Sequence, residues 1–381
     1  MTQRERFGTG AGPRGAVRCA RLAIAVVVAA ALTGQFAAAE VTVHDPGAAF
    51  EGLNLRVTRD PSGAVLMDMD GNTLHTWTCR LEDVFPGAEV PDVPGFSRHW
   101  TTARLLPDGG VLGVFGGVGL VKLDIQSRVV WAHAGGEHSD IDVADDGRIC
   151  VLGSESKRVN WVNQKEAVVE DFVLVLDEQG EVLNRVSLLE AISSSDFYNI
   201  IRTSRMPRTG QVLGANSVQV LDGGLSGTVP SFSEGSVLVS LGGLDTIGVV
   251  DMESGALTWT LFGMWLDQRD ATLLPGGNVL LLEYPDGAPG VIEFDPVTMG
   301  VEWAHSRATS SPLDDRWGGR VQRLPNGNTL VSESGRGRAF EVTPRGDVVW
   351  EYVNSEAGDG AAMPFEVTRI DPGFPVDRLG D

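Results

Sequence analysis

Short apolar segments alternate with polar, glycine-containing turns along most of the chain. The apolar runs are rich in Val and Leu, and Asp-Gly, Asn-Gly or Gly-Gly pairs separate them, as in RLLPDGGVLGVF and RLPNGNTLVSES. Amphipathic helical stretches are nearly absent. Short apolar runs bounded by such turns are typical of antiparallel β-strands. The pattern therefore predicts an all-β protein.

The strand-and-turn plan is repeated along the chain. RLLPDGGVLGVFGGVGLVKLDIQSRVVWAH, LLPGGNVLLLEYPDGAPGVIEFDPVTMGVEWAH and RLPNGNTLVSESGRGRAFEVTPRGDVVWEY each read as four strands, the last carrying Trp. Weaker copies are DVADDGRICVLG followed by FVLVLDEQGEVLNRV, and VLDGG followed by GSVLVSLGGLDTIGVVDMESGALTWTL. Four-stranded units that recur at roughly 40–50 residues are typical of propeller blades. The turn glycines of the five copies are Gly109, Gly147, Gly223, Gly277 and Gly327.

The two ends of the chain complete the predicted ring. The N-terminal segment AVLMDMDGNTLHTW is only the back half of a repeat, and the C-terminal FEVTRID can supply inner strand structure to it. Sharing one blade between the termini closes a propeller and removes an exposed edge strand. We therefore predict a six-bladed β-propeller of four-stranded antiparallel blades over residues 40–381, with seven blades as the alternative. The segment LLEAISSSDFYNIIRTSR is expected to be an excursion between strands.

Residues 1–39 have the composition of a secretory leader. Five Arg precede the apolar run LAIAVVVAAAL, and small residues stand at Ala37 and Ala39. A basic head, a short apolar core and small residues before the cleavage point are typical of a signal peptide. We expect Sec-type export to the periplasm or the exterior, with cleavage after Ala39 and no membrane span afterwards. An uncleaved anchor is the alternative.

Charge and cysteine content narrow the function classes. Removal of residues 1–39 takes away five Arg and one Glu, so the formal charge falls from −21 to −25. Such an acidic chain disfavours nucleic acid as a partner. Only Cys79 and Cys150 remain, and they either pair in an oxidising compartment or are buried thiols.

Polar residues recur seven to nine positions before each turn glycine. These positions start the first strand of each blade, which lines the central channel of a propeller. Polar groups that converge on one axis predict a ligand site, and the alternative is a water-filled channel. The predicted ligand-binding residues are Trp100, Thr102, Asp140, Asn216, Gln268, Asp270 and Arg320.

At these residues the chain resembles the bacterial arylsulfotransferase family. The resemblance runs from about Gly52 to Tyr352 and includes GAVLMDMDGNTLHTW, EHSDIDV, ANSVQVLDG, GSVLVSLGGLDTIGVVD and LPNGNTLVSES. It implies a six-bladed propeller that transfers sulfuryl from a phenolic sulfate to a phenol without PAPS. In that family a channel histidine receives the sulfuryl group covalently, and further His and Arg side chains hold the sulfate.

The reactive side chains of the family are largely replaced. The resemblance places Arg269 at the nucleophile, Gly214 at a second histidine and Gly242 at the sulfate-binding arginine, while His138 retains one imidazole of a pair. A guanidinium stays protonated and cannot serve as the nucleophile. Arg269 therefore reads as a replacement that can still receive an anion.

Other chemistry has little support in the sequence. No His cluster has zinc spacing, and we expect neither a metal nor a cofactor. The DMDGN segment reads as a β-turn, with a calcium loop as the alternative, and a paired-carboxylate glycosidase has no isolated carboxylate pair to support it. Inter-blade packing is expected of the tryptophans that end the repeats, which are Trp77, Trp131, Trp259, Trp303 and Trp350.

The sequence thus predicts an arylsulfotransferase-like propeller with a degenerate active site. Its expected role is to bind a small anionic or aromatic ligand in the channel, or a protein partner. Whether it is an enzyme stays open, because retained sulfuryl transfer through His138 or His99 is the alternative, and a structural envelope protein is a third possibility.

Overall fold

A computed structural model describes residues 40–90, 92, 96–203, 206–284, 290–306, 318–354 and 365–379. These residues fall in one compact unit. Their strands form six sheets, each built on four antiparallel strands, and two of the sheets carry a fifth strand. The prediction of an all-β, six-bladed propeller is confirmed.

The first three blades are built from the following strands. Blade 1 contains β2 (Leu53–Arg59), β3 (Ser62–Met67), β4 (Thr73–Thr78) and, as its inner strand, β26 (Val367–Ile370). Blade 2 contains β5 (Trp100–Leu105), β6 (Val111–Phe115), β7 (Gly119–Leu123) and β8 (Val129–His133). Blade 3 contains β9 (Glu137–Val143), β10 (Ile149–Lys157), β11 (Val168–Leu176) and β12 (Val182–Ser187), with the short β13 (Gly210–Gln211) parallel to β11.

The other three blades follow the same order. Blade 4 contains β14 (Ala215–Val220), β15 (Val237–Leu241), β16 (Thr246–Asp251) and β17 (Ala256–Phe262). Blade 5 contains β18 (Arg269–Leu273), β19 (Val279–Glu283), β20 (Gly290–Phe294) and β21 (Val301–Ser306). Blade 6 contains β22 (Gly319–Arg323), β23 (Thr329–Glu333), β24 (Arg338–Val342) and β25 (Val348–Val353), with β1 (Glu40–His44) as a fifth, outermost strand.

Both termini close the ring. The C-terminal β26 pairs with β2 and completes blade 1, as the sequence predicts. The N-terminal β1 pairs with β25 from Glu40↔Val353 to His44↔Trp350, which the sequence analysis does not anticipate. The two ends of the chain are therefore held by strand pairing at two places. These are the inner strand of blade 1 and the outer edge of blade 6.

Glycines in the left-handed conformation make the first turn of five blades. The turn glycines identified from the repeats lie between the inner and second strands, and their φ angles run from 77° at Gly223 to 96° at Gly277. Glycine adopts positive φ without the steric penalty of a Cβ atom. The periodic glycines of the sequence thus mark one structural position in every repeat.

Helices are few and short. The predicted excursion contains α2 (Leu188–Ser193) and α3 (Asn199–Thr203), and Ser187 caps α2 by accepting a hydrogen bond from the Glu190 N–H. The α-helix α1 spans Leu81–Val84. The 3-10 turns span Gly242–Leu244, Ser334–Arg336 and Val376–Leu379.

Aliphatic and aromatic side chains fill the space between neighbouring blades. Three outer-strand tryptophans also donate their indole N–H to the next blade, Trp131 to the Glu178 carbonyl, Trp303 to Pro344 and Trp350 to Met69. Trp350 is fully buried, where an unpaired indole N–H is costly, whereas Trp131 and Trp303 are partly exposed. These contacts confirm inter-blade packing for the three.

Cys79 and Cys150 are buried free thiols, which decides between the two alternatives for them. Burial raises the pKa of Cys79 to about 11, with the Asp83 carboxylate adding to the shift. In the DMDGN turn, the Gly71 N–H donates to the Asp68 carbonyl, as in a β-turn, and the Asp68 carboxylate accepts the Asp70 and Asn72 N–H groups. The helices of the described residues are all too short or too polar to cross a membrane.

Candidate functional site

Irregular pairing marks the start of four neighbouring inner strands. The register shifts between Trp100 and Thr102 in β5, beside Ser139 in β9, between Ala215 and Ser217 in β14, and beside Asp270 in β18. A β-bulge of this kind bends the strand and changes the direction of a side chain, and bulges are frequent next to functional sites. The predicted polar column coincides with these bulges.

Two of the bulges hold non-glycine residues in the left-handed region. Ser139 has φ 62° and Asp270 has φ 53°. Such a conformation is uncommon outside glycine and is retained when its surroundings enforce it. For Asp270 the enforcing contacts are visible, because its carboxylate is held by Arg320 and by the Val321 N–H.

Arg320 lies at the centre of a buried ion-pair network. Its Nη1 is 2.7 Å from Oδ1 of Asp270, and its Nη2 is 2.6 Å from Oδ1 of Asp140. Nη2 also donates to the Ser139 carbonyl at 2.9 Å and to the Thr102 hydroxyl at 3.3 Å. Four residues from blades 2, 3 and 5 thus contact one guanidinium that belongs to blade 6.

Arg104 and Glu366 extend the network to blade 1. Arg104 donates to Oδ1 of Asp140 at 2.9 Å and to Oε1 of Glu366 at 2.8 Å. Oε2 of Glu366 is 3.6 Å from Nε of Arg320. Sequence analysis does not predict either residue. Arg104 lies inside the apolar part of a repeat, and Glu366 precedes a strand that has no complete repeat around it.

Carboxylates outnumber guanidiniums in this network. Arg104 and Arg320 face Asp140, Asp270 and Glu366, and Asp142 of the same inner strand lies close to Asp140 and Arg104. Burial raises the pKa of Asp270, and Asp140 adds to the shift although Arg320 opposes it. Burial works to lower the pKa of Arg320, but Asp140, Glu366 and Asp270 hold it well above its ordinary value.

The same polar side chains join each inner strand to the next. Oδ2 of Asp140 accepts the Val218 N–H, Oδ1 of Asn216 accepts the Asp270 N–H, and Oδ2 of Asp270 accepts the Val321 N–H. Gln219 and Gln322 bond the next inner strands through both amide atoms, at Leu273 and Arg369. Much of the predicted column therefore has a structural partner within the ring.

His138 is enclosed by protein. It is 1 % exposed, its Nε2 is 3.3 Å from Oδ1 of Asp171, and its Nδ1 is 2.8 Å from the Ser139 hydroxyl. The ring of Phe96 lies 5.6 Å from the imidazole ring. Asp171, which the sequence does not identify, is fully buried and also accepts the Ala215 N–H at 3.1 Å. The arrangement orients the imidazole but leaves it little access to a substrate.

Arg269 is partly exposed at the start of β18. Its Nη2 is 3.4 Å from Oδ1 of Asp267, and its guanidinium lies 6.0 Å from the centre of the Tyr284 ring. The neighbouring Gln268 is buried, and its amide donates to the Thr246 carbonyl at 2.6 Å. The Gln268 side chain is thus bonded to the backbone of blade 4, whereas the Arg269 side chain is partly exposed to solvent.

The two glycines at substituted positions lie in tight backbone. Gly214 has φ 62°, and a Cβ atom there would be 3.0 Å from the Gly243 nitrogen. A Cβ atom at Gly242 would lie 2.9 Å from the Asn216 side-chain nitrogen and 3.2 Å from Oδ1 of Asp267. Neither site has room for a larger residue without movement of its neighbours.

The remaining predicted residues are part of the packed interior. Trp100 is 1 % exposed, packs at 84° against the Phe115 ring and donates its backbone N–H to the Ser62 hydroxyl. Thr102 is fully buried beneath Arg320. No group of three or more His, Cys, Asp or Glu among the described residues has the geometry of a metal site.

A cavity of about 550 Å³ opens at the opposite end of the inner strands. Gln219, Thr272 and Gln322 line its sides, and the turns that follow β14 and β18 form its rim. Its floor is formed by four residues of the ion network, Arg104, Asp270, Arg320 and Glu366. The network therefore lies between this cavity and the end of the channel where His138 and Arg269 begin their strands.

A family model described as arylsulfotransferase (ASST) matches residues 103–355 of the chain. No curated protein matches it. The matched span extends from the inner strand of blade 2 to the outer strand of blade 6.

Solved structures resemble the chain in fold. A protein of unknown function from Bacteroides caccae has a TM-score of 0.53 and 12% sequence identity, with 82% of this chain and 97% of that chain covered. Virginiamycin B lyase from Staphylococcus aureus has a TM-score of 0.48 and 12% identity, with coverages of 89% and 97%. At such identities the likeness concerns the fold alone.

Proposed function

The chain belongs to the arylsulfotransferase family, and we propose that it is a secreted member that has lost covalent sulfuryl transfer and acts as a binding propeller. The observation that carries this proposal is Arg269 at the position where the family resemblance places the nucleophilic histidine. A protonated guanidinium has no lone pair to attack sulfur.

The surroundings of Arg269 support the same conclusion. Transfer of a sulfuryl group needs fixed cationic donors at its oxygens, and Gly242 stands where the family arginine would be. The guanidinium of Arg320 is already occupied by the carboxylates of Asp140 and Asp270. A sulfate ester would have to compete with these carboxylates for the same donors.

The retained bulges support a binding role. Bulges at four inner strands and positive φ at Ser139 and Asp270 give the start of the channel a defined, strained shape. Strain of this kind costs on the order of 1–3 kcal/mol for each residue and is typical of functional sites. We propose that the ligand binds in the channel, and a protein partner on either face is the alternative.

A second candidate function is sulfuryl transfer through His138. The contact of its Nε2 with Asp171 is the observation that favours it, because a carboxylate orients an imidazole and supports its positive charge. Its burial argues against it, since the donor sulfur must reach the attacking nitrogen.

A chromogenic assay distinguishes the two functions. The purified protein is incubated with 4-nitrophenyl sulfate and phenol, and a second sample is examined for a covalent sulfuryl adduct by intact mass. We expect neither acceptor-dependent nitrophenol release nor an adduct from a sample shown to be folded by circular dichroism. Release that disappears in His138→Ala or His99→Ala would overturn the proposal and establish the enzyme.

Export is a separate part of the proposal. The basic and apolar composition of residues 1–39 supports a cleaved leader, which would place the propeller in the periplasm or outside the cell. N-terminal sequencing of the protein recovered from a secreting host is expected to begin at Glu40. A product that begins at Met1 and sediments with membranes would indicate an uncleaved anchor.

A further inference from the structure

The cavity at the far end of the inner strands has an acidic floor. Arg104, Arg320 and Arg323 supply three positive charges to the lining, while Asp222, Asp270 and Glu366 on the lining and Asp140 and Asp142 behind it supply five formal negative charges. Each guanidinium is paired with a carboxylate, Arg323 with that of Glu293. An anion entering the cavity would therefore meet a net negative field and three cations that are already paired.

Glu366 provides an acceptor that the network leaves unused. The residue is 3 % exposed and lines the cavity. Its Oε1 accepts from Arg104 and from the Thr368 hydroxyl, but its Oε2 accepts no hydrogen bond from any described residue. The nearest cation, Nε of Arg320, is 3.6 Å away, which is beyond hydrogen-bond distance. A buried carboxylate oxygen without a donor is energetically unfavourable unless a donor is supplied.

The walls above this floor are mixed in polarity. Leu221, Leu225, Leu273 and Leu274 line the cavity together with Pro275 and the polar residues of its sides, and none of its lining side chains among the described residues is aromatic. An apolar stretch of wall beside a charged floor suits a ligand that has a hydrocarbon part and one charged end. The absence of an aromatic platform from these walls gives a flat aryl ring no stacking partner.

We infer that this cavity binds a small organic cation, with a primary ammonium group at the Glu366 end and an aliphatic stem against the leucines. The ammonium supplies the hydrogen-bond donor that Oε2 of Glu366 lacks and reduces the excess negative charge of the floor. The inference rests on the proposed binding role of the propeller and adds to it the place and the class of the ligand. Burial and the neighbouring Asp140 raise the pKa of Asp270. The positive charge of the ammonium is expected to stabilise the charged carboxylate of this residue.

A matched set of probes tests this inference. Saturation-transfer NMR titrations of the purified protein with n-butylammonium, n-butanol and n-butyrate compare one stem with three end groups. We expect n-butylammonium to bind about tenfold more tightly than n-butanol, because the charge interacts with a partly buried carboxylate excess, and n-butyrate to give no transfer.

Two variants locate the binding site. Glu366→Gln removes the carboxylate with little change in size. It is expected to weaken the binding of n-butylammonium about tenfold. Glu166→Gln makes the same change in an exposed loop and is expected to have no effect. Thr272→Phe fills the cavity from the side without removing a charge and should abolish transfer, so the test stands even if Glu366→Gln folds poorly.

Several results would overturn the inference. These are equal or tighter binding of n-butyrate, n-butylammonium binding that survives both cavity variants, and absence of transfer from all three probes. The last result would leave the loss of sulfuryl transfer untouched, because the nitrophenol assay tests that loss independently. Conversely, nitrophenol release in the chromogenic assay would refute the proposed function, whether or not n-butylammonium binds.

Discussion

Arg320 and Asp140 belong to blades 6 and 3, and they meet across the axis of the ring with Nη2 of the arginine 2.6 Å from Oδ1 of the aspartate. The two residues are 180 positions apart in the chain. Through Asp270 and Glu366 the same guanidinium also contacts blade 5 and the segment that enters blade 1. Ion pairs between residues of different blades thus connect the inner strands around the axis of the propeller. The stability and reactivity that follow from this arrangement can be measured.

Replacement of Arg320 by Met should strongly destabilise the fold. The change leaves Asp140 and Asp270 buried without their main counter-ion, and breaking a buried pair in this way costs about 3–5 kcal/mol. Equilibrium denaturation in urea measures the loss. Arg148→Met is the matched control, because the Arg148–Asp146 pair is exposed and should contribute less than about 1 kcal/mol. Equal effects of the two changes would contradict a central role for Arg320.

Asp142 gives the stability a defined pH dependence. Burial raises its pKa above the ordinary 3.8. Protonation therefore stabilises the folded state; this contribution is complete below about pH 3.8 and is lost as the pH rises through the folded pKa. Asp142→Asn imitates the protonated form, so we expect it to be more stable than the parent at neutral pH, with the difference vanishing in acid. Thermal melting of both proteins from about pH 3 to about pH 7 checks the sign.

Restoration of the family residues should not restore sulfuryl transfer easily. Arg269→His is expected to fold normally, because the side chain is partly exposed, and to give no turnover of 4-nitrophenyl sulfate. Gly242→Arg should destabilise the protein, since its Cβ atom would approach the Asn216 amide to 2.9 Å. Gly214→His imposes positive φ on a side chain, which costs about 1–3 kcal/mol. Efficient turnover by Arg269→His alone would show that the supporting residues are misassigned.

The N-terminal strand should protect the edge of blade 6. Deletion of residues 40–44 uncovers the outer edge of β25, so a lower melting temperature and concentration-dependent association are expected. Light scattering at several concentrations measures the association. Thr42→Ala retains the strand and removes only the contacts of the Thr42 hydroxyl with the carboxylate and the carbonyl of Glu351, worth about 1 kcal/mol. An unchanged melting temperature after the deletion would mean that pairing of β1 with β25 does not stabilise the folded protein.

The buried thiols should be unreactive in the folded protein. Cys79 has a pKa of about 11, and burial also raises the pKa of Cys150. Because the thiolate is the reactive form, we expect iodoacetamide at neutral pH to label neither residue until the protein is unfolded. Peptide mapping by mass spectrometry identifies the labelled positions. Labelling of native Cys79 would indicate local opening near the end of β4.

The repeats account for most of what could be predicted of the fold. Turn glycines at regular positions identify five blades, and an incomplete repeat at each terminus indicates the sixth. Strand β1 is missed because the short stretch EVTVH has no turn glycine and no repeat around it. Its partner, β25, lies more than three hundred residues away, as the Glu351 contact of Thr42 shows.

The candidate site could be predicted only in part. The glycine alignment places Asp140, Asp270 and Arg320 at corresponding positions, and the structure brings them together. What the alignment cannot provide is the direction of each side chain, because a bulge depends on the register between two strands. It also cannot identify Arg104 or Glu366, whose importance arises from ion pairs formed across blades.

The side-chain bonds between inner strands have a consequence for how such a ring can be rebuilt. Asp140 meets a backbone amide of blade 4, and Asp270 meets one of blade 6. A blade transplanted from another propeller would bring its own strand and lose both the donor and the acceptor at its borders. The smallest exchangeable module in this architecture is therefore the junction between two adjacent blades, and shuffling of blades by recombination should succeed only when such junctions are inherited whole.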